Sequence, residues 1–312
     1  MHGRRRGRAD GGGRRRAPAT EIRRAVRWAT GELAAAGIAS APVDALLLAA
    51  HTLGVEPGEA RRLLVLGGID LPASYAALVA ERATRIPLQH LTGVAPFRNL
   101  TLSVGPGVFI PRPETETLVT LALEALVSAA ADPDAPATPI VVDLATGSGA
   151  IALAIKDELP TAMVYAVELD PLAHGWAVAN RDRLGLEVEV RLGDARTAYP
   201  ELVGQVRVVT CNPPYIPADQ VPIDREVRDH DPALALYGGP GDGLGLPLAM
   251  AARAADLLAP GGVLVMEHAD TQGPGLLRAL AGTGQWAHAQ DHPDLLGRPR
   301  ATVAVRDLGS PS

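Results

Sequence analysis

From Ile140 to the end of the chain, short apolar segments alternate with segments of helical pattern. This alternation predicts an α/β fold, with a parallel sheet covered by helices on both faces. The predicted strands are residues 140–144, 162–167, 188–192, 206–211, 262–266, 285–290 and 301–305. The predicted helices between them are residues 150–159, 172–184, 244–258 and 275–281. Ligands of such sheets bind beyond the carboxyl ends of the strands, so the residues at those ends are the first candidates for a functional site.

The first predicted strand runs into the turn Asp143-Leu144-Ala145-Thr146-Gly147-Ser148-Gly149. Its glycines let the backbone approach a ligand closely, and the helix that follows presents its positive N-terminus. The second strand is followed by Glu168, whose carboxylate can accept both hydroxyls of an adenosine ribose. The third strand is followed by Asp194, a candidate acceptor for an adenine amino group. The glycine-rich turn and the carboxylate of Glu168 together fit NAD and S-adenosylmethionine equally well.

The fourth predicted strand ends in Cys211-Asn212-Pro213-Pro214-Tyr215. Proline has a fixed φ and no N–H donor, so this turn offers carbonyl acceptors in a rigid arrangement. Asn212 adds a side-chain carbonyl and Tyr215 adds an aromatic face. Such a site suits an NH₂ group, whose two hydrogens meet acceptors while its plane packs on the ring. The turn therefore favours methyl transfer from S-adenosylmethionine to a planar amide or amine nitrogen. Asn212, Pro213 and Tyr215 are the predicted catalytic residues, and Pro214 completes the predicted substrate site.

The chemistry explains why a nitrogen substrate needs acceptors. An amide nitrogen is a weak nucleophile because its lone pair is delocalised into the carbonyl group. Acceptors on both hydrogens favour a pyramidal nitrogen, whose lone pair can then point at the sulfonium methyl group. Holding nitrogen and methyl carbon about 3–3.5 Å apart and in line supplies much of the rate increase without a strong base. The carbonyl groups and the ring face also stabilise the positive charge that develops on nitrogen.

The sequence before the sheet has a different pattern. Apolar residues recur at helical spacing between residues 17 and 86, and Pro42, Pro57 and Pro72 stand where helices can begin. We expect a small helical domain there that recognises the substrate. Residues 87–109 alternate between glycines and predict a β-hairpin linker.

The catalytic domain is predicted over residues 110–312, beginning with a helix to about Ala130 and a loop over residues 131–139. Seven arginines and one aspartate lie in residues 1–16, where Gly-Gly-Gly and like charges predict a disordered tail. The rest of the chain then has a net charge of −12, against −6 for the whole. An acidic body binds a phosphate backbone poorly, which argues against nucleic acid as a partner.

Three further expectations come from composition. The chain has one cysteine, Cys211, which excludes an internal disulfide and is typical of the reducing cytoplasm. Cys211 itself, at a strand end, is expected to be a small buried side chain. No run of about eighteen apolar residues is present, so no membrane partner is expected. The eight histidines show no metal-ligand spacing, so no metal site is expected.

These motifs together resemble the protein-(glutamine-N5) methyltransferases that modify peptide-chain release factors. The resemblance covers nearly the whole chain after the arginine-rich tail. It rests on Phe109-Ile110-Pro111-Arg112-Pro113-Glu114-Thr115-Glu116, residues 143–149, residues 212–216, Gly238-Gly239, Asp242-Gly243-Leu244, residues 267–273 and Gly297-Arg298-Pro299-Arg300. The Asn-Pro-Pro-Tyr turn alone is shared with DNA adenine-N6 methyltransferases. The Pro111–Glu116 element and the helical N-terminal domain are much more specific to the glutamine enzymes.

The resemblance implies a Rossmann-like, seven-stranded methyltransferase sheet with an antiparallel seventh strand and S-adenosylmethionine as cofactor. The implied cofactor contacts are Asp143, Ala145, Thr146, Gly147, Ser148, Gly149, Glu168, Asp194, Ala195 and Asn212. The implied substrate is the glutamine of a Gly-Gly-Gln loop in class I release factors. Asn212 and the Pro213 carbonyl would hold its amide, and Tyr215 would stack on it. His230 and Asp231 would belong to a loop over the substrate. The family often has an aromatic residue where Ala195 stands.

The sequence leaves some choices open. Besides the glutamine enzyme, it fits a nucleic-acid methyltransferase acting on an amino nitrogen, or a non-catalytic adaptor that keeps the fold as a binding surface. Arg112 and Glu114 either form a structural ion pair or line the cofactor cleft. Glu267 either acts as a base or holds a nearby loop in place.

Overall fold

A computed structural model of the chain describes residues 20–130 and 136–308, which fall into two units that divide between Leu88 and Gln89. The predicted disordered tail, residues 1–16, lies outside the described residues, as does part of the predicted loop over residues 131–139. The division lies two residues after the predicted end of the helical domain at residue 86. None of the described helices combines the length and apolar character needed to cross a membrane.

The smaller unit is helical, as its apolar spacing predicts. Its helices are α1 (Ile22–Ala35), α2 (Ala41–Leu53), α3 (Pro57–Leu66) and α4 (Ala73–Ala83). Pro42, Pro57 and Pro72 stand in the first turn or at the N-cap of these helices, where a missing N–H costs nothing. Among the apolar contacts, Arg82 Nε donates to Asp44 Oδ2 at 2.7 Å, and both side chains are buried.

A short helix, α5 (Leu88–Thr92), precedes the antiparallel hairpin of β1 (Val94–Phe97) and β2 (Leu100–Ser103). The hairpin is therefore shorter than the predicted residues 87–109, because the chain makes a helical turn before the first strand. Arg98 occupies the hairpin turn with a φ of 52°. Its guanidinium contacts both carboxylate oxygens of Glu158, which fastens the hairpin to a helix within the larger unit.

The central sheet of the described residues has seven strands. They are β3 (Ile140–Leu144), β4 (Met163–Glu168), β5 (Val188–Leu192), β6 (Val206–Cys211), β9 (Leu258–Glu267), β10 (Trp286–Pro293) and β11 (Pro299–Arg306). Their order across the sheet is β10-β11-β9-β6-β3-β4-β5. The pairs from β9 to β5 are parallel, and β11 is antiparallel to both of its neighbours. The implied seven-stranded methyltransferase sheet with an antiparallel seventh strand is confirmed.

Helices cover both faces of this sheet. They are α6 (Glu116–Ala130), α7 (Ala150–Glu158), α8 (Pro171–Leu184), α11 (Gly245–Leu257) and α12 (Gly273–Gly282). Buried residues of α6 and α7 form one apolar cluster with the sheet, and those of α11 and α12 form another. Two short strands, β7 (Ile216–Pro217) and β8 (Tyr237–Gly239), pair in parallel beside the sheet. Two shorter helices, α9 (Arg225–His230) and α10 (Ala233–Leu236), lie between β7 and β8 in the chain.

Most predicted strand bounds match the structure, and β3, β5 and β6 match to the residue. Strand β9 begins at Leu258, four residues before the predicted start at residue 262, because α11 passes directly into it. The predicted loop at His230 is wrong: His230 is the last residue of α9.

Candidate active site

The carboxyl ends of β3, β4, β6 and β9 open into a cavity of about 670 Å³. Ligand sites commonly have volumes of about 300–1,000 Å³. The predicted site residues that line it are Ala145, Thr146, Gly147, Ser148, Glu168, Asp194, Ala195, Asn212, Pro214 and Tyr215. The predicted residues Asp143, Gly149 and Pro213 form no part of the described cavity wall.

The turn after β3 presents its backbone to the cavity. Ala145 and Gly147 both have a φ of 59°, in the left-handed region. A Cβ on Gly147 would meet open space, so at this position the backbone itself faces the cavity. The N–H of Thr146 donates to the carbonyl of Val167 at 3.0 Å and so joins the turn to β4. This turn gives a ligand close access to the main chain.

Asp143 is completely buried beneath this turn. Its Oδ2 accepts from Thr146 Oγ1 at 2.5 Å, and its Oδ1 accepts from Thr210 Oγ1 of β6 at 2.7 Å. Burial raises the pKa of Asp143 to about 6, although the two hydroxyl donors act in the opposite direction. Asp143 therefore shapes the turn from behind. Its placement does not support the direct cofactor contact predicted for it, because its oxygens face the two threonines.

Glu168 stands at the end of β4 with its carboxylate at the cavity. Its Oε2 accepts from the N–H of Gly147 at 2.8 Å, and its Oε1 accepts from the N–H of Asp170 at 2.9 Å. Burial raises the pKa of Glu168. A carboxylate has about four acceptor positions, and the N–H groups of Gly147, Leu169 and Asp170 occupy at most three, so a position remains for a ligand hydroxyl. This geometry suits the predicted ribose acceptor.

Asp194 lines the cavity with a carboxylate that is already paired. Arg196 Nη2 lies 2.5 Å from Asp194 Oδ2, and the Arg196 N–H donates to Asp194 Oδ1 at 2.9 Å. The hydrogen bonds from Arg196 lower the pKa of Asp194. Any adenine amino group must therefore share this carboxylate with Arg196. Ala195 is buried in the same apolar cluster as Tyr199 and offers only a methyl group to the cavity.

The Asn212–Tyr215 turn is held in place by neighbouring loops. Gln272 Nε2 donates to the carbonyls of Tyr215 at 2.8 Å and Asp242 at 2.7 Å, while its Oε1 accepts from the N–H of Ala269 at 3.0 Å. Gly238 packs so closely that a Cβ there would lie 2.7 Å from the Pro214 carbonyl oxygen. The Pro214 carbonyl is thus packed against Gly238, and the Tyr215 carbonyl already accepts a hydrogen bond from Gln272. Within the turn, this leaves the Asn212 side chain as the candidate acceptor at the cavity wall, and the role of the Pro213 carbonyl, outside that wall, stays a prediction.

A buried hydrogen-bonded chain lies behind Asn212. Asn212 Nδ2 donates to Thr115 Oγ1 at 3.3 Å, and Thr115 Oγ1 donates to Glu267 Oε2 at 2.7 Å. The other oxygen of Glu267 accepts from the Tyr215 hydroxyl at 3.4 Å. Burial raises the pKa of Glu267 to about 7, against the hydrogen bond from Thr115 and the positive charge of Arg300. Glu267 thus contacts the substrate turn from behind and also lines the cavity.

The structure decides between the two alternatives for Arg112. Arg112 Nη2 donates to Asp231 Oδ2 at 2.7 Å, and its guanidinium carbon lies 5.1 Å from the centre of the Phe109 ring. Its ion-pair partner is therefore Asp231 and not Glu114. Arg112 and Glu114 both line the cavity, as the second alternative has it.

One side of the cavity mouth is apolar. Val221, Ile223 and Leu234 line it and are exposed, the side chain of Ile223 fully so, next to the exposed polar residues Gln220 and Asp224. Exposed apolar residues clustered at a ligand site are typical of a surface that binds a partner. This surface was not predicted, because Val221 and Ile223 flank a proline, Leu234 lies eleven residues further on, and the segment has no clear periodicity.

Some residues that hold the site were missed from the sequence. Thr115 and Gln272 lie inside motifs of the resemblance, so those motifs were the available signal. Asn180 of α8 donates to the carbonyls of Ser103 and Ser148, both at 3.0 Å, and joins the hairpin to the turn after β3. Its only signal is a polar residue on a buried helix face.

Two other expectations concern chemistry that is absent from the site. Among the described residues, no group of three or more His, Cys, Asp or Glu side chains could hold a metal ion. Cys211 is buried with its Sγ 3.5 Å from Met250 Sδ, and burial raises the pKa of its thiol. A thiol held in this protonated form is a poor nucleophile.

Comparison with known proteins bears on the substrate. Residues 24–93 match the family described as PrmC N-terminal domain, and residues 101–225 match the family described as Methyltransferase small domain. A protein of Streptomyces coelicolor named release factor glutamine methyltransferase is 49% identical over 284 residues, which cover 91% of this chain and 97% of that protein. The chain belongs to the release factor glutamine methyltransferase family.

The family resemblance includes one relative with a different substrate in its name. A protein of Streptomyces pristinaespiralis named 4-amino-L-phenylalanine/4-methylamino-L-phenylalanine methyltransferase is 40% identical, covering 89% of this chain and 93% of that protein. Among solved structures, the hMettl16 catalytic domain has a TM-score of 0.51 at 12% identity, covering 78% of this chain and 85% of that chain. This likeness supports the methyltransferase fold of the chain and no more. Membership of the release factor glutamine methyltransferase family makes S-adenosylmethionine the methyl donor.

Proposed function

We propose that this protein transfers a methyl group from S-adenosylmethionine to the side-chain amide nitrogen, N5, of the glutamine in the Gly-Gly-Gln loop of class I peptide-chain release factors. The observation that carries the proposal is the 49% identity, over nearly the full length of both chains, to a release factor glutamine methyltransferase. The Asn212–Tyr215 turn at the cavity supports it. Because release factors act on ribosomes, the proposed location is the cytoplasm.

The cavity residues fit S-adenosylmethionine. The cofactor supplies a methyl group on a sulfonium, ready for transfer to a nucleophile. The Glu168 carboxylate faces the cavity and keeps an acceptor position, which suits a ribose hydroxyl. The turn at Ala145 and Gly147 allows close approach of the main chain. Ala195 gives a flat apolar contact beside Asp194, and together they suit an adenine ring.

The substrate amide would be held by the Asn212 side chain and the Pro213 carbonyl. Both are acceptors, and the two hydrogens of the amide NH₂ group are donors. Tyr215 provides a ring face for the amide plane, and burial raises the pKa of its hydroxyl, so the ring stays neutral. These contacts orient the nitrogen lone pair and stabilise the charge that forms on it.

One other substrate class has an observation in its favour. The relative named for 4-amino-L-phenylalanine is 40% identical over most of both chains, so a free arylamine is the second candidate. Nucleic acid is a less favourable substrate, because the negative net charge of the chain repels a phosphate backbone. The apolar mouth at Val221, Ile223 and Leu234 supports a protein partner, since a free amino acid needs no exposed apolar surface around the site.

One assay separates these substrates. Tritiated S-adenosylmethionine is offered with a purified class I release factor, with its Gln→Ala loop variant, with 4-amino-L-phenylalanine and with DNA. We expect label on the release factor alone and none on the Gln→Ala variant. Label on the arylamine or on DNA, with none on the release factor, would overturn the proposal. The absence of label from every substrate would favour the non-catalytic adaptor.

A further inference from the structure

We propose that Thr115 and Glu267 are positioning residues that determine which end of the Asn212 side-chain amide faces the substrate. The inference rests on the proposed function, because it assumes that the group methylated next to Asn212 is an NH₂ group. Its basis is the hydrogen-bonded chain from Asn212 through Thr115 to Glu267.

An asparagine amide can bind in two orientations of nearly the same shape. One end is a carbonyl oxygen, which accepts, and the other is an NH₂ group, which donates. A substrate NH₂ group can bond only to the oxygen. If the amide of Asn212 rotates by half a turn, donor faces donor and the substrate nitrogen loses one of its acceptors. The enzyme therefore needs a device that selects one orientation.

The chain behind Asn212 supplies this selection. An ionised carboxylate only accepts, so Glu267 Oε2 takes the one hydroxyl proton of Thr115. The Thr115 oxygen then has only lone pairs for its other neighbour, and Asn212 must present Nδ2 to it at 3.3 Å. The Asn212 oxygen is consequently directed away from Thr115 and remains available for the substrate. One buried negative charge thus sets the direction of both hydrogen bonds.

The same carboxylate contacts the second predicted catalytic side chain. Glu267 Oε1 accepts from the Tyr215 hydroxyl, and only 1% of Glu267 is exposed. Glu267 therefore orients the acceptor and the ring face together. The two contacts come from opposite oxygens of one group, so the relative placement of Asn212 and Tyr215 is fixed from a single point at the end of β9.

Protonation of Glu267 would leave the donor and acceptor roles in these two hydrogen bonds undetermined. A carboxylic acid can donate to Thr115, whose proton is then free to point at the Asn212 oxygen. The pKa of Glu267 is raised to about 7 by burial and by the nearby charge of Glu114, and is lowered by Arg300 and by the bonds from Thr115 and Tyr215. Cys211, which also faces Glu267, remains a neutral thiol because burial raises its pKa. Activity should therefore fall as the pH decreases below about 7.

The first test compares two variants of Thr115. Thr115→Val removes the hydroxyl at nearly constant shape, and Thr115→Ser keeps it. We expect Thr115→Val to lower kcat by about 3- to 10-fold, the effect of one lost hydrogen bond. The cofactor Kd and the KM for release factor should change less than about twofold, since only 4% of Thr115 is exposed and valine keeps its shape. Thr115→Ser should restore kcat.

A matched control removes a buried hydroxyl that takes no part in the hydrogen bonds between Asn212, Thr115 and Glu267. Thr302 of β11 is completely buried, and its Oγ1 has no hydrogen-bond partner among the described residues. Thr302→Val should leave kcat and its pH profile unchanged. If Thr302→Val lowers kcat as much as Thr115→Val, the effect is one of packing and the positioning role is wrong.

The second test uses Glu267→Gln and the pH profile of kcat. A glutamine can donate or accept, so it no longer sets the direction. We expect a loss of about tenfold that does not add to that of Thr115→Val in the double variant, because both act through Asn212. The fall in kcat below about pH 7 should disappear in Glu267→Gln. Additive losses, or an unchanged acid limb, would overturn the inference.

These outcomes are distinct from failure of the proposed function. If the wild-type enzyme labels no release factor, the substrate assignment fails before any variant is compared. If the wild type labels the release factor and Thr115→Val matches it in kcat, the substrate stands and the positioning role is refuted.

Discussion

Replacement of Gly238 by alanine tests how tightly the substrate turn is held. A Cβ at this position would overlap the Gly243 carbonyl oxygen and would lie 2.7 Å from the Pro214 carbonyl oxygen and 2.8 Å from Tyr215 Cα, whereas ordinary contacts begin at 3.4 Å. The backbone at Gly243 and the Asn212–Tyr215 turn must therefore both move, the turn by at least about 0.6 Å. Displacement of a reacting group by about 1 Å can cost about 10²-fold in rate. We expect Gly238→Ala to lower kcat by about 30- to 100-fold while the cofactor Kd stays within about threefold.

Steady-state methylation of a release factor measures kcat, and calorimetric titration measures cofactor affinity. Gly175→Ala is the matched control: Gly175 lies within α8, nothing lies within 4 Å of an added Cβ, and alanine favours a helix. It should keep full activity. A Gly238→Ala enzyme with wild-type kcat would show that the turn tolerates displacement, and the argument from close packing would then be wrong.

Three further predictions concern individual site residues. Asn212→Ala should lower turnover by about 10²–10³-fold with cofactor affinity nearly intact; a large loss of cofactor binding would reassign Asn212. Glu168→Ala should weaken cofactor binding first, and unchanged binding would disprove the ribose assignment. The pKa of Asp143 is raised to about 6 in the folded state, so the folded protein binds this proton more tightly than the unfolded one. Its share of the unfolding free energy should fall by roughly 3 kcal/mol as pH rises from about 3 to 7. Urea unfolding of Asp143→Asn should lack this fall, and an unchanged curve would assign the pH dependence elsewhere.

The sheet was predictable because its strands carry a local signal. Strands β3 and β6 are short segments rich in β-branched residues, and β5 alternates apolar and charged residues; both patterns are typical of strands. Helices α9 and α10 were not predicted, since 6 and 4 residues are too few for helical periodicity to show. The start of β9 was placed too late because Ala259-Pro260-Gly261 has the composition of a turn although it continues the strand.

The candidate site was predictable where function follows from residue type at a strand end, as for Glu168 and Asn212. It was not predictable where a contact joins distant parts of the chain. Thr115 and Glu267 are 152 positions apart, and Arg112 and Asp231 are 119 apart. The burial of Asp143 behind its turn also has no local signal. A carboxylate before a glycine-rich turn can face either a ligand or the neighbouring strand. In this protein the hydroxyl of Thr210, on β6, donates to Asp143 and holds its carboxylate away from the cavity.

The bonds of Gln272 have a consequence for motion. One amide group ties together the main chain of three loops, at Tyr215, Asp242 and Ala269. Opening any one of these loops leaves a buried polar group of Gln272 without a partner, so the loops gain nothing by opening separately. They should fluctuate as one cooperative unit, with amide hydrogens that exchange at a common rate. The stability of the substrate turn then depends on all three loops together, and Gln272, which bonds to the turn from outside the cavity wall, sets how often the site opens.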